Sequence, residues 1–163
     1  MLDTVFGLPV HPLLVHATVV IVPLAALTVL LAAVWPRFRS WAGWGPLALA
    51  VAAVVLTPLS TSSGEELEHR IGHSSAVEKH AELGDMLIWW VVPLAVLAAV
   101  LYWWQRSSRP GKGLAVVVAV LPVLVAVGTL VQVVLIGHSG AESAWGDVGS
   151  ASSSSQGGDG DQG

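Results

Sequence analysis

The residues of this 163-residue chain best suited to chemistry are its six histidines: His11, His16, His69, His73, His80 and His138. Imidazole ligates transition metals and haem iron, and it titrates nearer to neutral pH than any other side chain. The chain has no cysteine, so disulfide scaffolds, thiolate zinc sites and iron–sulfur clusters are excluded. His69 and His73 are four residues apart, which places two rings on one helix face. With Glu65 or Glu66 as an oxygen ligand, that spacing suits zinc or copper; a solvated polar helix is the plainer alternative. His16 lies inside an apolar stretch, where an ionisable group marks a functional site by default. The alternative is a neutral ring bonded to a neighbouring helix. His138 sits in Ile136-Gly-His-Ser-Gly140, where flanking glycines let a ligand or a second backbone come close; a helix C-cap is the alternative there. His80 has Gly84 one turn later, which leaves room on its face. His11 precedes Pro12, a residue suited to the first turn of a helix.

These rings need elements to hold them, and the composition specifies which kind. Hydrophobic types make up 54% of the chain and charged types 11%, against about 25% charged residues in a soluble domain. Lys and Arg number 7 against 11 Asp and Glu, a net charge of -4, which argues against a nucleic-acid partner. A spanning helix needs roughly 20 apolar residues. Four stretches qualify: residues 13–35, 41–59, 86–104 and 114–136. The bilayer leaves no water for loose backbone groups, so each must be helical. The expected fold is an all-α integral membrane four-helix bundle spanning residues 1–145, with a Gly/Ser/Asp-rich tail at 146–163 expected to be disordered. Between spans two and three, residues 64–71 read as a short Glu-rich helix ended by Gly72. Ser75 and Glu78 fit a capping box opening a helix through His80 into span three. Gln132 and Thr57 are polar groups within spans, suited to interhelical hydrogen bonds.

Orientation follows from the basic residues of short loops. Arg37 and Arg39 lie between spans one and two, and Arg106, Arg109 and Lys112 between spans three and four. Those loops are expected in the cytoplasm, with both termini and the helical middle loop extracytoplasmic, in a multi-pass protein of the plasma (inner) membrane. The segment before span one lacks a basic n-region, so no cleaved signal peptide is expected. All six histidines then belong to the extracytoplasmic half.

Two stretches resemble a known family. Gly7-Leu-Pro-Val-His11-Pro-Leu-Leu-Val-His16 resembles the opening His-Pro-x-x-Val-His pattern of a bacterial membrane family catalogued as domain of unknown function 2231. Gly137-His138-Ser-Gly140-Ala-Glu-Ser-Ala-Trp-Gly146 is similar to its closing Gly-His-x-Gly-Gly pattern, with Ala141 in place of the second glycine. His80-Ala-Glu-Leu-Gly84 is similar to its middle His-x-x-x-Gly element. Ala17 stands where the opening pattern often has Phe. His69 and His73 match no element of the family.

The family is similar in layout to small four-helix b-type cytochromes. That likeness implies a haem b in the extracytoplasmic half, bound by two of His16, His80 and His138 with His11 as a further candidate, for electron transfer to an extracytoplasmic or quinone partner. Catalytic turnover of a substrate is not expected. Two alternatives stand beside it. One is a zinc, copper or iron site built from these histidines with Glu82 or Glu142, or from His69 and His73. The other is a noncatalytic subunit of a larger membrane complex.

Overall fold

The structure is a computed structural model that describes residues 4–5, 8–71, 75–106 and 112–154, with side chains at 12–65, 75, 77–106 and 115–142. A minimal antiparallel pairing of Thr4–Val5 (β1) with Leu8–Pro9 (β2) precedes six helices. These are Val10–Val34 (α1), Pro36–Ala42 (α2), Gly45–Ile71 (α3), Ser75–Met86 (α4), Ile88–Trp104 (α5) and Lys112–Ser154 (α6). Four stretches are long and apolar enough to cross a membrane: Pro12–Val34, Gly45–Glu65, Val77–Trp104 and Ala115–Glu142.

The bundle is closed by sequential packing. α1 lies against α3 and α6, α5 lies against the same two, and α1 and α5 face each other across the diagonal with less contact. Small side chains set how near the axes come. Ala25, Ala26, Ala32 and Ala33 of α1, Ala50 and Ala53 of α3, Ala98 of α5 and Ala126 of α6 are all buried. Without a hydrophobic force between helices in lipid, close van der Waals packing of such residues drives association. The larger aliphatics point the other way: Val20, Val34, Val116, Leu124 and Val134 are more than half exposed. Helices apolar on every side belong in hydrocarbon, and the protein's surroundings are the lipid bilayer.

Span two begins at Gly45 rather than at 41, because the connection before it is itself ordered. Pro36 stands in the first turn of α2, and Gly43, at φ 56°, stops it; a side chain would be strained there. Arg39 of α2 donates to the Ala32 carbonyl across 3.2 Å, meeting one of the acceptors left open at the end of α1. Arg106 lies over the Tyr102 ring, 3.8 Å from its centroid. Arg37, Arg39 and Arg106 thus share one end of the bundle, the basic end. Trp35, Trp41, Trp44 and Trp103 are exposed there, at the level where indoles favour headgroups.

At the opposite, acidic end, α4 runs almost straight into α5, as the capping signal at Ser75 suggests, but the helix breaks at Leu87. Its N–H donates to Gly84 across 3.1 Å instead of to Leu83. The Leu83 carbonyl so released accepts from Gln132 Nε2 of α6 at 2.7 Å. Gln132 therefore makes the interhelical bond that its position in a span suggests, whereas the Thr57 hydroxyl donates within its own helix, to Ala53. Hydrogen bonds between spans average about 0.6 kcal/mol, but an orphaned buried acceptor costs about 1–3 kcal/mol. Gln132→Leu should fall in the upper range, because it leaves a carbonyl at a helix break with no second donor. Unfolding in mixed micelles measures it, and a loss no larger than the average would show that water reaches the break.

The Glu-rich stretch 64–71, expected as a separate short helix, is the continuation of α3, which runs unbroken over Gly45–Ile71; Gly72, expected to end it, and His73 lie outside the described residues. α6 runs as helix to Ser154, past residue 146 where the tail was expected to begin. Residues 155–163 lie outside the described residues.

Candidate functional site

The acidic half of the bundle is not filled. A cavity of about 600 Å³ lies among α1, α3, α4 and α6. The cause is local. Gly64 of α3, Gly84 of α4, and Gly137 and Gly140 of α6 all line it, with Ala81, so five wall positions contribute little or no side-chain volume. Aliphatic groups make most of the remaining wall, including Val15, Val19 and Val22 of α1 and Val133 and Ile136 of α6. Glu65 and Asp85 are its acidic lining residues, both exposed, and His80 is the one histidine that lines it among the described residues.

His80 is held from two sides. Its ring lies against Gly140, where an added Cβ would come within 3.1 Å of Cε1. Its Nδ1 is 3.1 Å from Ser139 Oγ. That hydroxyl donates its only proton to the Ile136 carbonyl at 3.0 Å. With that proton so engaged, the hydroxyl is placed to accept from Nδ1, an arrangement in which a neutral ring would carry its lone pair on Nε2. Fixing one ring nitrogen through a hydrogen bond bears on what the other can do.

The other histidines take different places. His16 is exposed and donates from Nδ1 to the Pro12 carbonyl of its own helix at 2.6 Å. The cavity face of α1 carries Val15, Thr18, Val19 and Val22, and His16 lies roughly 110° around the helix from its middle at 100° per residue. His138 is exposed, with Nδ1 3.5 Å from Glu142 Oε1. It is roughly 150° from the middle of the α6 cavity face on the same reckoning. It is no helix cap, because α6 continues beyond it. Glu142 also reaches Lys79 of α4 across 3.5 Å. This exposed set contributes little to stability but fastens α4 to α6 on the outside, as His80 and Ser139 do on the inside. His11 belongs to α1 by its backbone, four residues before Val15; its side chain, like that of His69, and the whole of His73 lie outside the described residues.

The structure therefore brings His80 to the cavity and turns His16 and His138 away from it. Among the described residues no three His, Asp or Glu side chains gather so that they could hold a metal ion. A haem bound by two imidazoles does not fit His80 with either His16 or His138 as placed, since both of those rings lie off the cavity face. Sequence reasoning passed over Ser139 and Lys79. Ser139 stands inside the Gly-His-Ser-Gly motif but lies roughly 110° from the middle of the 133–136–137–140 face of α6 at 100° per residue, so the face pattern does not single it out.

Four apolar spans around a glycine-lined cavity define a helical integral membrane protein. The family model described as a predicted membrane protein, DUF2231, matches residues 7–152, and the chain belongs to that family. No curated protein matches the chain, and no solved structure does.

Proposed function

We propose that the chain is a membrane-embedded binding protein whose cavity holds a bulky, mostly apolar molecule with His80 as its polar contact. One observation carries this: an imidazole, held through Nδ1 against Ser139 Oγ, stands on the wall of an apolar cavity of about 600 Å³. Binding sites are typically concave and apolar with a few placed polar groups, and their volumes run to about 300–1,000 Å³. The redox form of the reading takes haem b into this space with His80 as the protein's ligand, for electron exchange with an extracytoplasmic or quinone partner. What favours it is an imidazole on the cavity wall, the side chain that most often ligates haem iron.

The test is the protein purified in detergent, with its visible spectrum recorded oxidised and reduced and its organic extract analysed by mass spectrometry. A Soret band that shifts on reduction and disappears in His80→Ala supports the haem form. A colourless protein whose extract contains a stoichiometric small molecule, lost in His80→Ala, supports binding without haem. Retention of the same molecule by His80→Ala would overturn the assignment of His80. His138→Ala is expected to leave either signal unchanged, since that ring faces away from the cavity.

The same reading places the cavity in the extracytoplasmic half of a plasma-membrane protein, with Arg37, Arg39 and Arg106 on the cytoplasmic side. The chain has no cysteine of its own. A thiol introduced as Ser62→Cys should react with an impermeant maleimide in intact cells, and one introduced as Ser40→Cys should react only after lysis. The reverse pattern inverts the topology.

A further inference from the structure

The polar side chains on the cavity wall, Ser60 apart, are alike in one respect: they offer lone pairs and withhold protons. The Thr18 hydroxyl donates to the Leu14 carbonyl at 2.9 Å, Thr57 to Ala53 at 2.8 Å and Thr61 to Pro58 at 3.3 Å. His80 lies on the same wall, its Nδ1 already engaged with Ser139 Oγ at 3.1 Å. Glu65 and Asp85 add formal negative charge, and no Lys or Arg lines the cavity among the described residues. Lys79, the nearest cation in sequence to His80, is engaged outside it with Glu142. An anion would meet carboxylates and hydroxyl lone pairs here, and a neutral acceptor would find most of its partners' protons already committed. An apolar body with a positive charge would lose hydration to an aliphatic wall and recover it from two carboxylates and an imidazole. Electrostatic complementarity of this kind selects a partner more than it raises affinity for all partners.

We infer that the cavity selects an apolar organic cation, such as an amphiphilic amine or an onium ion, entering at the acidic end of the bundle. This rests on the cavity being a binding site at all, and the experiment separates the two. The full chain in nanodiscs of zwitterionic lipid is titrated calorimetrically with tetraphenylphosphonium, with tetraphenylborate of the same shape and opposite charge, and with neutral triphenylmethanol. Expected is saturable binding of the phosphonium, about tenfold or more tighter than either comparator. That preference should be lost in Glu65→Gln/Asp85→Asn. Gly137→Phe, at a position where an added Cβ meets nothing within 4 Å, should fill the space and abolish all binding. Each variant is first shown to melt like the parent chain, so that loss of binding reports on the site. Equal saturable binding of triphenylmethanol and the phosphonium, unchanged in the double variant but blocked by Gly137→Phe, overturns the charge selection and leaves the cavity reading intact. No saturable binding of any probe, or binding indifferent to Gly137→Phe, overturns both.

Discussion

Gly128→Ala is expected to destabilise the bundle by about 1–3 kcal/mol, the usual cost of forcing an extra carbon into a packed contact. A Cβ built at Gly128 of α6 would lie 2.0 Å from Cζ3 of Trp90 in α5, and 2.5 and 2.6 Å from two further atoms of the same ring. Three atoms of one rigid indole cannot yield separately, so either the whole side chain leaves its notch or α5 and α6 move apart. Trp90 is 36% exposed, which gives it a way out toward lipid and keeps the cost within that range. The pair should be strongly coupled. In a Trp90→Leu background the same glycine substitution should cost little, with a coupling free energy of about 1 kcal/mol or more. Unfolding of all four proteins in mixed micelles measures the cycle. Additive effects would mean that the two helices do not meet at this notch.

His80→Ala is expected to have the largest functional effect. Removing the cavity's imidazole takes away the polar contact of the ligand and leaves the ligand's own polar group unpaired in an apolar space, which costs about 1–3 kcal/mol. Since every 1.4 kcal/mol is tenfold in affinity, retention of the bound molecule should fall by roughly 5- to 150-fold. Ser139→Ala should act more weakly and in a different way. It keeps the ring but removes the hydroxyl that Nδ1 is paired with; orienting partners of this kind are worth about 10- to 100-fold where the ring binds a metal. Gly140→Ala brings a Cβ to 3.1 Å from Cε1 and should displace the ring by a few tenths of an ångström. The measurement is the amount of ligand co-purifying per protein, in the order parent, Gly140→Ala, Ser139→Ala, His80→Ala. Equal ligand content in His80→Ala and the parent would remove His80 from the site.

How far the sequence led differs between elements. The spans were legible because hydrocarbon imposes a length and a composition with few exceptions: residues 13–35 and Pro12–Val34 are nearly the same segment. The start of span two was misplaced because Trp41 and Trp44 are as apolar as the residues of a span; what ends α2 is the positive φ of Gly43, which apolarity does not show. The run from Ser75 into span three was legible in its capping signal. The break at Leu87 was not, since it depends on a side chain contributed by Gln132, which is distant in sequence.

The histidines show where one-dimensional reasoning stops. Sequence placed His16, His80 and His138 at a common depth, because depth follows from counting 1.5 Å per residue along each helix. It also expected two or more of them to converge on a common centre, as a shared haem requires, but convergence depends on the rotation of each helix about its own axis. A helix apolar all round has no polar face to fix that rotation; the fit of small residues against neighbours fixes it, through Ala25, Ala53 and Ala126 in the core and Gly128 against Trp90. That fit turns His80 inward to Ser139 and leaves His16 and His138 outside. What the sequence alone determined is a four-span helical membrane protein with its histidines at one end. Which ring reaches the cavity, only the packed bundle decided.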